Sequence, residues 1–352
     1  MMKAYIESMG CDSNRADTNR VQKYLKGNGV DVVEDYKIAD YIILMSCGFN
    51  SIIMKENLKR LYNFKKTDAK IILGGCIPKL EKIKVDYAFG PKELYKLDEI
   101  FKLPNKIANF SPEFNRKHKK IVRVSTGCSG KCSYCAIKLA NGKTKSRSIE
   151  DIKKDIQNGL NEGFSRFIFA SEDIGSWGID VDSSIIDLLK KIIQIPGNFS
   201  IQLTTVHPKW FLKYPELFDV FSSEKIEKKV YLPLQSGSDR ILKLMKRGYT
   251  VKEFLYIFNK LKNIKIQTDV LVGFPTETEE EFKQTFDLIK ELDIYFLQVF
   301  AYTDMENTIS SKIYPKVPYS IAETRAKACI KGFLKKGRKV NTNIKTKTNI
   351  IS

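Results

Sequence analysis

Along the first hundred residues, short apolar runs alternate with stretches of helical period. Lys3 to Met9 reads as a strand, Ser13 to Asn28 as a helix, and Asp40 to Ser46 as a buried strand around Tyr41-Ile42-Ile43-Leu44-Met45. Met54 to Lys65 follows as a helix and Lys70 to Gly75 as a further strand. Such alternation predicts a parallel sheet with helices on both faces, with its functional groups at the carboxyl ends of the strands. Lys102 to Lys120 reads as a charged linker ending in Asn115-Arg116-Lys117-His118-Lys119-Lys120.

A second alternating series begins at Ile121. Its strands are Ile121–Ser125, Arg166–Ala170, Asn198–Thr204, Lys229–Pro233, Lys265–Val272 and Tyr295–Ala301. Helices are expected at Ile149–Glu162, Ser184–Gln194, Val251–Lys262 and Glu279–Leu292. Six strand units predict a partial (β/α)6 barrel, open on one side, with its working residues on the loops after the strands. The expected fold class is therefore α/β: an N-terminal open parallel sheet over residues 1–115, a barrel over 116–335 and a basic tail over 336–352. From Arg325 the chain reads as helical and then basic, with Lys331, Lys335, Lys336, Arg338, Lys339, Lys345 and Lys347.

Cysteine placement gives this scaffold its chemistry. Cys128, Cys132 and Cys135 lie in Thr126-Gly127-Cys128-Ser129-Gly130-Lys131-Cys132-Ser133-Tyr134-Cys135, on the loop after the first barrel strand. Three thiolates at this spacing hold three corners of a 4Fe-4S cluster and leave one iron open to a small ligand, the position S-adenosylmethionine would take. A zinc knuckle would pair Cys-x2-Cys units with a nearby fourth donor, and only His118 is close in sequence. Cys11, Cys47 and Cys76 each follow an apolar run of the first series, beside Gly10, Gly48 and Gly75. Strand ends of an open parallel sheet share one edge, so a second cluster there competes with three separate buried thiols. Cys329, inside an apolar helix, reads as a core residue, and His207 before Pro208 as a structural turn.

The 352-residue chain is 43% hydrophobic, enough for two cores, and contains seven cysteines without an apolar signal segment. Those features point to reduced thiols or metal ligands in the cytoplasm, and the absence of an 18-residue apolar run argues against a membrane span. Its net charge of +19 suits a polyanionic partner such as RNA. A general lysine bias would give the same total.

Polar groups follow the later strands. Ser171-Glu172-Asp173 places two carboxylates where they could accept from an amino group, or where Ser171 or Asp173 would cap a helix. Gln235 and Ser236 in Leu234-Gln235-Ser236-Gly237-Ser238-Asp239 suit ribose hydroxyls, and Gly273 in Val272-Gly273-Phe274-Pro275 would admit an adenine. With Tyr134 of the cysteine loop, Glu172, Asp173, Gln235, Ser236 and Gly273 are the candidate cofactor contacts.

On these motifs the chain resembles the radical S-adenosylmethionine methylthiotransferases from Lys3 to about Pro318. The signature stretches are the two cysteine triads, Leu232-Pro233-Leu234-Gln235-Ser236-Gly237-Ser238-Asp239, Leu244-Met245-Lys246-Arg247-Gly248-Tyr249-Thr250, and Thr268 to Thr278. The resemblance implies two 4Fe-4S clusters, one on Cys11, Cys47 and Cys76 and one on Cys128, Cys132 and Cys135. It also implies two roles for S-adenosylmethionine, as methyl donor and as radical source, and no catalytic side chain beyond the clusters. A one-electron reductant such as a flavodoxin or ferredoxin would be a partner.

Ser171-Glu172-Asp173-Ile174-Gly175-Ser176-Trp177-Gly178 is most similar to the branch that modifies threonylcarbamoyladenosine in tRNA. Three departures favour a protein or peptide side chain as the alternative substrate. The family usually ends in a small RNA-binding β-barrel of about sixty residues, for which too little chain follows Lys336. An arginine common before the glycine after the cysteine loop is Asn141 here, and a family Arg-Pro-Gly-Thr turn is Met305-Glu306-Asn307-Thr308. Ser146-Arg147 is retained. A non-catalytic RNA-binding scaffold is the alternative of another class.

Overall fold

The computed structural model describes residues 1–335 and 337–344. Its N-terminal part carries strands β1 (Lys3–Ser8), β2 (Asp31–Val32), β3 (Tyr41–Ser46), β4 (Lys70–Gly75) and β5 (Tyr87–Phe89), all parallel, in the order β2-β1-β3-β4-β5. β1 and β3 are adjacent, yet their following helices, Asp12–Lys26 and Ser51–Phe64, pack on opposite faces. That reversal is a topological switch point, where an open α/β sheet leaves a crevice beyond its strand ends. Both faces are buried: Val21, Tyr24 and Leu25 pack with Ile43 and Ile72 on one side, and Leu61 and Phe64 with Ile42, Leu44 and Leu73 on the other. The near-continuous apolar runs that marked these strands follow from this double burial.

The barrel part carries β6 (Glu113–Arg116), β7 (Lys119–Arg123), β8 (Ser125–Thr126), β9 (Lys145–Ser146), β10 (Arg166–Ala170), β11 (Ser200–Leu203), β12 (Lys229–Tyr231), β13 (Lys265–Val272), β14 (Phe296–Ala301) and β15 (Lys339–Thr342). One sheet runs β11-β10-β7-β6 and a second β12-β13-β14-β15. Parallel bridges Ile201 to Ile226 and Thr205 to Tyr231 join them between β11 and β12. The result is a partial barrel whose strands run parallel except for β6 at one edge, open between β6 and β15. Along β14, Leu297, Val299 and Ala301 are buried while Phe296, Gln298 and Phe300 alternate with them, the period-2 pattern of a strand with two different faces. The helices start at side-chain caps: Ser184 with Asp187, Thr250 with Glu253 and Thr278 with Glu281 form capping boxes.

Two strands were hidden by charge. Glu113–Arg116, expected as linker, pairs antiparallel with β7, and the expected boundary at 115/116 falls inside it. Phe114 packs with the buried Ile121 and Ile168, and Glu113 turns inward to Lys23 at 2.9 Å and Lys120 at 3.4 Å. Ion pairing thus replaces the apolar pattern that would have marked this strand. Lys339–Thr342, expected as tail, runs parallel to β14 with Val340 in the core. Lys336, Lys345 and Lys347 lie outside the described residues. No helix among the described residues is long and apolar enough to cross a membrane.

At the barrel mouth, Arg240 reaches Glu281 at 2.6 Å and the Thr276 carbonyl at 2.7 Å, tying the helix Asp239–Leu244 to the helix Glu279–Glu291. The Arg240 hydrogen bonds hold the Glu281 carboxyl down at about 2, from an ordinary 4.5. The folded-state pKa is depressed, so this stabilisation is complete above pH 4.5 and is lost as pH falls toward 2. In urea titrations of the apoprotein, Arg240→Gln is expected to lower stability by roughly 0.5–1 kcal/mol at pH 6, the range of a half-exposed ion pair, and to narrow the gap to wild type below pH 3. An equal gap at both pH values would contradict the assignment.

Candidate active site: two cysteine triads at one mouth

The N-terminal triad is assembled by main chain at three strand ends. Cys11 caps the helix Asp12–Lys26, Cys47 follows β3, and Cys76 caps the short helix Ile77–Leu80 after β4. Asn14 locks these ends together: its amide donates to the Ser46 carbonyl at 3.3 Å and its side-chain oxygen accepts from Ser8 Oγ at 2.8 Å. Ser46 Oγ donates to the Gly74 carbonyl at 2.6 Å and accepts from the Ile77 N–H at 3.3 Å, while Asn57 holds the Cys47 N–H at 3.0 Å. Gly75 sits at φ +91°, where a Cβ would strike the Ser46 carbonyl oxygen, and Gly127 repeats the device before Cys128, also at φ +91°, against the Lys143 carbonyl.

The second triad is pinned to the barrel from several sides. Cys128 N–H donates to the Gly142 carbonyl at 3.0 Å and Gly127 N–H to Glu172 Oε2 at 2.8 Å. Ser133 donates from its main chain to the Met245 carbonyl at 3.0 Å and from its hydroxyl to the Leu244 carbonyl at 2.8 Å. Gly130 N–H donates to Cys128 Sγ at 3.2 Å, and Arg247 Nη1 to Cys132 Sγ at 3.0 Å.

The triads are neighbours. The helix Ile77–Leu80, capped by Cys76, packs on the helix Ala136–Asn141, capped by Cys135. Phe49, two residues after Cys47, meets Phe300 of β14 with ring centroids 5.4 Å apart. Glu172 is close enough to raise the thiol pKa of both Cys11 and Cys76, and it also anchors the Cys128 loop. Cys11 is exposed, and the protein atoms around it raise its thiol pKa, with the Glu172 carboxylate adding to the effect.

The donor chemistry fits iron–sulfur clusters. Burial pushes the Cys47 and Cys135 thiols up to about 11 and Cys128 to about 12, so metal binding at neutral pH must release protons. Main-chain N–H groups oppose that cost: Ser13 and Asn14 act on Cys11, Cys11 and Phe49 on Cys47, Gly48 on Cys76, Gly130 on Cys128, and Ile137 and Lys138 on Cys135. Hydrogen bonds of this kind to cluster sulfurs are how proteins set cluster properties. No three His, Cys, Asp or Glu side chains among the described residues close around a single metal ion.

The candidate cofactor contacts separate. Tyr134 accepts from Arg247 Nη1 at 3.3 Å beside the loop. Glu172 is committed to Arg123 at 3.1 Å, Asn141 at 3.4 Å and the Gly127 N–H. Asp173 is buried, accepting from Trp210 Nε1 at 2.7 Å, and caps no helix with its side chain. Gln235, at φ +70°, donates to Asp269 Oδ1 at 2.7 Å.

Ser236 is fully buried with its hydroxyl 3.4 Å from Thr285 Oγ1, on the helix side. At Gly273 the space for a Cβ is filled by Ala322 of the last helix, so helix packing requires glycine there. Asn141, in place of the family arginine, leaves its buried Oδ1 unpartnered. Arg147 is drawn inward to Asp155 at 2.7 Å, and Met305 to Thr308 keep a turn with the Thr308 N–H on the Met305 carbonyl at 3.2 Å. His207 is buried with its pKa well below the ordinary value, by burial and then by Arg247, and Cys329 is a core residue.

Sequence reasoning missed Arg123, Arg247, Asn14 and Asp17. Arg247 stood inside a quoted motif with no role, and Asp17 and Asn14 occupy helix positions indistinguishable by pattern from solvated ones.

Residues 122–289 match the model of the radical SAM superfamily, and residues 3–93 match that of the uncharacterized protein family UPF0004. A probable threonylcarbamoyladenosine tRNA methylthiotransferase of Methanocaldococcus jannaschii is 33% identical, covering 89% of this chain and 78% of the relative. A ribosomal protein uS12 methylthiotransferase of Thermosipho melanesiensis is 32% identical, covering 92% and 81%. Among solved structures, the radical S-adenosylmethionine methyltransferase TsrM of Kitasatospora setae superposes with a TM-score of 0.61 at 13% identity, over 85% of this chain and 73% of that one. That likeness shows the fold.

Fold and site thus define a radical S-adenosylmethionine enzyme. The chain belongs to the methylthiotransferase family within that class and is an enzyme of this type, dependent on S-adenosylmethionine and 4Fe-4S clusters.

If each triad holds one cluster, anaerobic reconstitution yields about eight irons per chain, and Cys11→Ala or Cys128→Ala alone each lowers this to about four. A Cys11→Ala protein that still binds about eight irons would contradict the placement.

Proposed function

We propose that this methylthiotransferase acts on threonylcarbamoyladenosine in tRNA. The observation that carries the reading is the Ser171 to Gly178 stretch, whose Glu172 stands between the two triads. Three archaeal relatives named probable threonylcarbamoyladenosine tRNA methylthiotransferases, 33%, 31% and 29% identical, support it, as does the net charge of +19. In this reading Cys11, Cys47 and Cys76 hold the auxiliary cluster, Cys128, Cys132 and Cys135 the radical cluster, and Tyr134, Glu172, Asp173 and Gln235 are the polar groups nearest the bound cofactor.

The cofactors, when bound, supply a methyl group, sulfur and a radical that takes hydrogen from an unactivated C–H bond. The chain's own residues tie the two sites together through Glu172 and Arg123, and Phe49 beside the first triad meets Phe300 of the barrel. A one-electron reductant such as a flavodoxin or ferredoxin is part of the proposal.

The uS12 relative, at 32% identity, favours a second reading in which a protein side chain is modified. Reconstituted enzyme is incubated with S-adenosylmethionine, reductant and either unmodified-at-sulfur tRNA or a peptide, and products are followed by mass spectrometry. The tRNA reading expects a methylthio mass gain on threonylcarbamoyladenosine alone. Gain on the peptide and none on tRNA would overturn it.

A further inference from the structure

Three arginines are buried among the described residues, and they are not equivalent. Arg123 pairs with Asp17 and Glu172, and Arg325 with Glu277 and Glu279. Arg247 makes no ion pair with a carboxylate among the described residues, although a buried guanidinium without a counter-charge is strongly unfavourable. Its donors go to Cys132 Sγ at 3.0 Å, the Tyr134 hydroxyl at 3.3 Å, the Tyr249 hydroxyl at 3.1 Å and the Pro233 carbonyl at 3.3 Å. Asp269 and Asp173, the carboxylates that act on it from further away, are themselves engaged by Gln235 and by Trp210 Nε1, each at 2.7 Å.

Local structure aims this side chain. The helix Asp239–Leu244 ends in a turn with Lys246 at φ +56°, and the Arg247 N–H returns to the Leu242 carbonyl at 3.0 Å. The same segment receives the two hydrogen bonds of Ser133, so Arg247 and the cysteine loop are registered by main chain as well as side chain. Of the loop thiols, Cys128 receives the Gly130 N–H at 3.2 Å and Cys132 the charged guanidinium of Arg247 at 3.0 Å. Its planar fork reaches the Cys132 sulfur and the Pro233 carbonyl through two different nitrogens held in fixed geometry, where an ammonium would offer a single nitrogen.

We propose that Arg247 is a positioning residue whose missing counter-charge is the radical cluster itself. It donates to the Cys132 sulfur, stabilises the reduced cluster and raises its reduction potential. Three thiolates on a four-iron core leave a net negative group, more negative after one-electron reduction, and both net charge and hydrogen bonds to sulfur set the potential. The pairing is reciprocal: without the cluster the chain keeps a buried cation with no partner of opposite charge, so cluster loss and local loosening of the loop are coupled.

The test uses the full chain carrying Cys11→Ala, Cys47→Ala and Cys76→Ala, so that one cluster gives the signal, with Arg247→Gln and Arg247→Lys added singly. EPR-monitored redox titration without S-adenosylmethionine is expected to shift the midpoint negative for the Gln variant and by a smaller amount for the Lys variant. Thermal melts of metal-free protein are expected to show the Gln variant at least as stable as its parent, with the order reversed after reconstitution. An unchanged midpoint in both variants would overturn the proposal. So would a metal-free Gln variant melting well below its parent, which would make Arg247 a structural residue alone. If the Gln variant does not load iron, the Lys variant supplies the midpoint and the metal-free melt decides.

Discussion

One buried guanidinium holds the two halves of this active site in register. Arg123, at the end of β7, pairs with Asp17 from the helix that begins at Cys11 and with Glu172 from the loop after β10. It also reaches the carbonyls of Ser13 and Ser125. Glu172 passes the constraint on to the Gly127 N–H, one residue before Cys128. Burial pulls the Arg123 pKa down, but Asp17 and Glu172 lift it above its ordinary value, so the group stays charged. Loss of its charge would leave two buried carboxylates uncompensated, a penalty of about 3–5 kcal/mol. The N-terminal triad, the radical loop and the second barrel strand therefore move together.

Sheet topology explains why chemistry collects where Arg123 works. The strand order β2-β1-β3-β4-β5 opens a crevice beyond the ends of β1 and β3, where Cys11 and Cys47 emerge, and β4 adds Cys76 next to it. The barrel presents its own loops at the carboxyl ends of its strands, beginning with the loop of Cys128. The two folds meet near these edges, and each brings three thiols to the junction. The short helices after Cys76 and Cys135 pack on each other there.

Much of this was legible in the sequence because parallel strands buried on both faces are written as apolar runs, and because cysteines after such runs are placed by topology. The strand positions and the gathering of each triad at one sheet edge follow from that logic. β6 and β15 were not legible: Glu113 hides inside by pairing with lysines, and Val340 is one apolar residue in a basic stretch. Ser236 and Gly273 carry packing roles that the pattern did not display, against Thr285 and Ala322, because polar and glycine residues after strands serve packing as well as ligands. Arg123 and Arg247 carry no local signal, since burial of a cation is decided by partners far away in the chain.

The central claim is that two clusters, one on each triad, look into a single chamber. The direct measurement is EPR of the fully reduced holoenzyme compared with the Cys11→Ala and Cys128→Ala variants, each carrying one cluster. The account predicts that the wild-type spectrum is broadened and relaxes faster than either variant, as two nearby paramagnets require. A wild-type spectrum equal to the simple sum of the two single-cluster spectra would contradict it.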